Sequence, residues 1–195
     1  MSTTQPIRNQ GELEELKKYY KNEKPNLRNY VLIMVGLNTA LRINDTLHLT
    51  YDMVYTRNHV RKHIVVRERK TGKENKILLN DRVREALEEY WQILVSSDIY
   101  KKGNRYLFPS PRDSDKPLSR YQAYRIISAA AEAVGIEGPI SCHSLRKTFG
   151  YHAWKQGKDP VAIMVVYNHS SMSITKRYLC LDQDDKDAVF RDTTL

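Results

Sequence analysis

The sequence predicts an α+β fold, mostly α-helical with a small antiparallel β-sheet, and three observations predict it. Apolar residues recur at three- and four-residue spacing along most of the chain, and one short stretch alternates about a Thr71-Gly72 break. No repeat, low-complexity tract or Gly/Ser linker divides the 195 residues, so residues 1–195 read as a single domain. Hydrophobic residues make up 41%, enough to close one sizeable core.

The elements follow in order. Leu13, Leu16, Tyr19 and Tyr20 place a helix within 11–23, and Tyr30, Leu32, Ile33, Val35, Leu37 and Leu41 place a more buried one after Pro25. A short helix over 43–49, with Asn44 or Asp45 near its start, puts Arg42 at a junction of two helices. His63, Val65 and Arg67 alternate with Ile64, Val66 and Glu68, and Lys76-Ile77-Leu78-Leu79 resumes after the break, which predicts a basic β-hairpin. Asp81 is expected to cap a helix to about Val95, and Tyr106-Leu107-Phe108 runs into a loop over 109–117. Ser119 caps a helix that Gly135 stops, and Ser141 one from about His143 to Gln156 that Gly157 stops. Short helices are expected at 160–166 and 173–180, and an acidic one at 183–191.

Composition narrows the function. No apolar run approaches the roughly 20 residues of a membrane span, and charged residues at 28% with 8 Gly and 7 Pro exclude collagen and disorder. The opening MSTTQPIRNQGELEELKK lacks the apolar stretch of a secretory signal, so a cytoplasmic protein is expected. Cys142 and Cys180 fit no zinc or disulfide spacing and read as free thiols. The net charge is +9, unevenly placed. Residues 57–76 hold eight Lys and Arg against two Glu, a net +6, whereas residues 182–195 are net −3. A basic face of this size is the usual footprint for nucleic-acid phosphates, although ribosomal and membrane-surface proteins share it.

Metal-binding carboxylate clusters, a glycine-rich phosphate loop and an HExxH pattern are all missing, so neither a metal nor another cofactor is expected. What remains is a set of cationic and hydrogen-bonding groups at element edges: Arg42, Lys70, His143, Arg146 and His169, with Tyr178 nine residues further on. His143 and Arg146, three apart at a helix start, face one side and can grip one anion.

Taken together, ALRINDTLHL at 40–49, RERKTGKENKILL at 67–79, CHSLRKTF at 142–149 and NHSSMSITKRYL at 168–179 resemble the catalytic domain of the tyrosine recombinase, or phage integrase, family. The likeness spans about residues 10–181 and implies that family's catalytic-domain fold. It implies that Arg42 and Arg146 are the two catalytic arginines, Lys70 the hairpin lysine, His143 and His169 the two histidines and Tyr178 the nucleophile. Tyr167-Asn168 stands where the family usually has Leu-Gly, and Lys147 where many relatives have histidine. The N-terminal core-binding domain of typical members is expected to be absent, the chain being either an excised fragment or a naturally short member.

The chemistry suits those residue types. A phosphodiester repels nucleophiles through its anionic oxygens, and two guanidiniums supply fixed, bidentate countercharge. Tyrosine needs a proton acceptor, for which His143 is the natural base, and the leaving 5′-oxygen needs a proton, assigned to Lys70 with Lys73 as the competing choice. His169 would bind a nonbridging oxygen. Arg67, Arg69, Lys73, Lys76, Lys147, Lys176 and Arg177 are expected to position DNA, with a merely solvated face as the alternative. The resemblance implies a 3′-phosphotyrosyl intermediate, site-specific recombination (integration, excision or inversion) of double-stranded DNA, and a tetramer on DNA formed from free monomers, with no membrane partner. The acidic tail would dock on a neighbour or mask the basic face. Two alternatives stand beside this: nicking and resealing alone, as in a topoisomerase, or a catalytically idle DNA-binding regulator on the same scaffold.

Overall fold

The computed structural model describes residues 4–57, 59–96, 105–180 and 189–193, so residues 183–188 of the expected acidic helix lie outside it, while 189–192 are helical. Helix α1 (Gln10–Lys18) starts at Asn9, whose side chain accepts from the Gly11 and Glu12 amides. The chain then widens into one π turn, Tyr19–Glu23, rather than continuing as α-helix to residue 23. Tyr20 is buried there and its hydroxyl donates to the Ile126 carbonyl at 3.0 Å, a tertiary contact that periodicity does not reveal.

Helix α2 (Leu27–Asn38) is buried from Asn29 through Leu37 and forms the centre of the core, with the helices Asp81–Ser96 and Cys142–Lys155 packed against it. Gly36 permits the closest approach, since a Cβ there would lie 2.7 Å from Leu145 Cδ1. Helix α3 (Ile43–Leu47) is capped by Arg42 in extended conformation, not by Asn44 or Asp45. Helix α4 (Tyr51–Val54) and the two-residue strands β1 (Tyr55–Thr56) and β2 (His59–Val60) were not expected from pattern. Their contacts are tertiary: the Tyr55 hydroxyl donates to the Leu87 carbonyl at 2.9 Å, and the Val60 amide to Glu88 Oε1 at 2.8 Å.

The basic hairpin pairs β3 (His63–Arg67) with β4 (Glu74–Leu78), antiparallel, from His63↔Leu78 to Arg67↔Glu74. The small sheet is therefore two separate two-stranded antiparallel pairs. Ile64, Val66 and Ile77 point into the core while His63, Val65 and Arg67 face out. Helix α5 (Asp81–Ser96) is capped one residue earlier than expected, because the Val83 amide donates to Asn80 Oδ1 at 3.0 Å. Leu107 and Phe108 are fully buried and pinned by backbone bonds from Leu107 to Leu49 and from Leu118 to Phe108, both 2.8 Å.

Helix α6 (Arg120–Ala133) has the Ser119 cap and a full capping box with Gln122, and α7 (Cys142–Lys155) has the Ser141 cap. Short helices α8 (Pro160–Val166) and α9 (Met172–Leu179) close the fold. Ala40, Ile163, Tyr167 and Leu179 make a small second core, against which Phe149, Trp154 and Tyr178 pack. Gly150 makes room for it: a Cβ there would meet Leu179 Cδ2 and lie 2.5 Å from the Tyr167 hydroxyl. Among the described residues no helix is long and apolar enough to cross a membrane, and both cysteines are free thiols.

Candidate active site

Arg146 organises the site. It lies in the second turn of α7, is 3% exposed, and reaches out of the helix to donate from Nη1 to the Ala40 carbonyl and from Nη2 to the Tyr167 carbonyl at 3.1 Å. Ala40 has φ +53, so the chain between α2 and α3 turns its carbonyl towards this guanidinium. The guanidinium carbon stands 4.6 Å from the Tyr167 ring centroid and 5.9 Å from that of Tyr178.

Tyr178, in the last turn of α9, packs against both His169 and Tyr167, with ring centroids 5.3 Å away in each case. Its hydroxyl is buried and has no hydrogen-bond partner among the described residues. Burial raises its pKa, and the positive charges of Arg146 and Arg42 pull it back down. His169 Nδ1 lies 3.1 Å from Thr175 Oγ1, within the turn that starts α9. Its pKa falls to about 4, first through burial and then through Arg146 and Arg42. Asn168, just before it, has φ +54, the left-handed region that glycine favours and asparagine tolerates. Asn in place of the usual glycine thus keeps that turn.

His143 opens α7 half-buried, and burial followed by the charges of Arg120, Arg146, Lys147 and Arg42 lowers its pKa. Arg120, exposed in the first turn of α6, is a neighbour of this histidine that the motifs did not indicate.

Arg42 faces a buried acid that sequence reading also missed. Its Nη1 pairs with Glu68 Oε2 at 2.5 Å, the Glu68 side chain being 1% exposed. Glu68 continues the inward parity of Ile64 and Val66, which was the available signal. A second buried acid, Asp45, accepts from the Arg69 amide at 3.0 Å. Lys70 sits exposed in the hairpin turn between these tethers, because Thr71 in turn donates to Glu68 Oε2 at 2.7 Å. Lys73 lies beyond the turn, its carbonyl accepting from the Glu68 amide at 2.9 Å.

The model of the phage integrase family matches residues 9–184. The chain belongs to that family. It is 41% identical over 191 residues to the probable integrase/recombinase YoeC of Bacillus subtilis (strain 168), covering 98% of this chain and 97% of that protein. It is 28% identical over 169 residues to the tyrosine recombinase XerD of Corynebacterium glutamicum, covering 85% of this chain and 52% of that protein. Among solved structures it superposes on the XerA recombinase with a TM-score of 0.78 at 21% identity, over 98% of this chain and 65% of that one. The XerH site-specific recombinase bound to its palindromic difH substrate gives 0.75 at 19% identity, over 99% of this chain and 55% of that one. The chain thus spans nearly all of YoeC, about half of XerD and somewhat more than half of these two structures. The last two likenesses establish that the integrase-family chain has the tyrosine recombinase catalytic-domain fold.

Most cations expected to position DNA are on the surface of this integrase-family domain: Arg67, Arg69, Lys73 and Lys76 on the hairpin, and Lys176 and Arg177 on α9. Lys147 is not. It is 5% exposed, and its ammonium donates to the Thr4 carbonyl at 2.6 Å and lies 3.4 Å from Cys180 Sγ and 5.6 Å from the Tyr178 ring centroid. Directly after a buried arginine on α7, it points into the protein, towards Thr4 and the end of α9.

Proposed function

We propose that this chain is a site-specific DNA recombinase that cuts and rejoins double-stranded DNA through a 3′-phosphotyrosyl link on Tyr178. The observation that carries the reading is the meeting of Arg146, His169 and Tyr178, drawn from separate motifs, about one buried phenol, with Arg42 among the charges acting on it. A buried hydroxyl with no hydrogen-bond partner among the described residues, near Arg146 and under the charge of Arg42, is costly in a resting protein and suits a site that an anion completes.

Arg42 and Arg146 take the nonbridging oxygens of the scissile phosphate, and His169, kept neutral first by burial and then by those two arginines, joins them as the anion offsets the arginine charges. His143, whose lowered pKa leaves it neutral at working pH, accepts the Tyr178 proton as the phenolic oxygen bonds to phosphorus. The bond from phosphorus to the 5′-oxygen breaks, and Lys70 protonates that oxygen. The free 5′-hydroxyl of another strand then reverses the steps, releasing the tyrosine. The ester link stores the bond energy, so the scheme consumes no nucleotide.

The protein is monomeric when free and tetrameric on its paired sites, acting in the cytoplasm at the nucleoid. Residues 182–195 dock on a neighbouring copy; Val189 and Phe190, 65% and 82% exposed, are apolar side chains suited to it. A nicked suicide substrate carrying the element's own junction tests the chemistry. A covalent protein–DNA band should form with wild type and vanish with Tyr178→Phe on a denaturing gel, and transfer to a second labelled site separates recombination from nicking and resealing. No band from a wild type that binds this DNA would favour the idle regulator.

A further inference from the structure

Glu68 has the attributes of a built component with no role in the scheme above. It is a carboxylate at 1% exposure, inside the most basic stretch of the chain, and none of the proposed steps uses it. A buried acid survives only with partners, and it has them on both sides. Arg42 Nη1 stands 2.5 Å from Oε2 and the Thr71 hydroxyl 2.7 Å from the same oxygen, and the Asn168 side chain acts on the carboxylate as well. Its own backbone closes the turn, the amide bonding to the Lys73 carbonyl at 2.9 Å and the carbonyl accepting from the Gly72 amide at 2.8 Å. The backbone of Glu68 thus belongs to the hairpin turn and its side chain to the arginine. Lys70 lies within that turn, next to Thr71.

We infer that Glu68 is a positioning residue that ties the Lys70 turn to Arg42, so that the phosphate-binding guanidinium and the leaving-group lysine hold one relative geometry. The inference rests on the roles proposed above for those two residues. A hairpin tip with an exposed lysine samples many positions, whereas protonating the 5′-oxygen demands one within hydrogen-bond reach of it. Because a single oxygen accepts from Thr71 and pairs with Arg42, displacement of the turn is resisted by a charge that cannot leave Arg42 without being buried alone. Thr71 also donates nothing to DNA while so engaged, which separates its role from that of the outward lysines.

The experiment uses the full chain and two suicide substrates, one with the natural phosphodiester and one with sulfur in place of the bridging 5′-oxygen. A thiolate leaves without a proton, so the second substrate does not need the lysine. Wild type, Tyr178→Phe, Lys70→Ala, Glu68→Gln and Thr71→Val are compared by the rate of covalent adduct formation. Thr71 is exposed and Arg42 still pairs with Glu68 without it, so each variant is assayed below its own measured unfolding transition. Thr71→Val should slow the phosphodiester reaction at least about tenfold, a fraction of the 10²–10⁴ that a general acid supplies, and should recover with the sulfur substrate as Lys70→Ala does. Glu68→Gln should be slowed on both substrates, more on the phosphodiester, because it loses the charge pair with Arg42 as well. The inference is overturned if Thr71→Val cleaves the phosphodiester at the wild-type rate, or if its defect persists undiminished on the sulfur substrate. A wild type that gives no Tyr178-dependent adduct on either substrate sinks the proposed function itself, and this inference with it.

Discussion

Two histidines of the site are held neutral, first by burial and then by neighbouring cations that include Arg146 and Arg42, and that has a consequence for stability. In the unfolded chain both titrate near ~6.5. In the fold His169 titrates at about 4, and His143 is lowered in the same direction. Between these values the unfolded chain holds protons that the folded chain refuses, so stability is fully present above pH ~6.5 and is lost as pH falls towards 4. The urea midpoint should therefore drop between pH ~7.5 and ~5, and His169→Gln should flatten the drop; an unchanged pH slope in that variant would show that its ring is not the group responsible. The residues themselves were legible because histidine, arginine and tyrosine at fixed gaps are rare company. Glu68 and Asp45 were not, since a carboxylate in a basic hairpin or on a short helix reads as a solvated charge until burial is known. Asn168 stood out as a departure in sequence, and only its backbone angle shows that it fills the glycine's place.

At the scale of elements, the long helices and the basic hairpin follow from periodicity, while the π turn after α1, helix α4 and the β1–β2 pair do not. Each of the latter is too short to carry a period and is held by side chains distant in sequence, as with Tyr20 to Ile126 and Val60 to Glu88. The same holds for the segment before α1, which straps α7 and the end of α9 together. The Ile7 amide donates to Thr148 Oγ1 at 2.9 Å, its carbonyl lies 3.0 Å from His152 Nε2, and Arg8 Nη2 donates to the Cys180 carbonyl at 3.1 Å. From the other side α9 rests on Gly150, where a Cβ would strike Leu179 and the Tyr167 hydroxyl. Gly150→Ala should cost about 1–3 kcal/mol, as overpacking of a filled core does, seen as a lower urea midpoint. It should also depress adduct formation on both substrates alike, because Tyr178 precedes the displaced Leu179; a stable variant with normal cleavage would show that α9 is not seated by that contact.

The whole molecule carries its charge as a footprint, and burial decides which charges belong to it. Summing lysines and arginines along the sequence counts Lys147 with the hairpin cations, because sequence cannot tell an outward ammonium from one bonded to Thr4 and set against Cys180. Salt dependence can. Each phosphate neutralised by an exposed cation releases a counterion, so the slope of log K against log salt falls by about 1 for each such contact removed. Lys73→Gln and Lys76→Gln, both exposed on the hairpin, should each reduce the slope by about that much and leave thermal stability nearly unchanged. Lys147→Gln should do the reverse. It leaves the slope as in wild type but lowers the melting temperature, since the Thr4 carbonyl and the Tyr178 helix lose the ammonium between them. A Lys147 variant with full stability and a reduced slope would return that residue to the DNA-facing set, and would mean that the N-terminal strap opens when DNA binds.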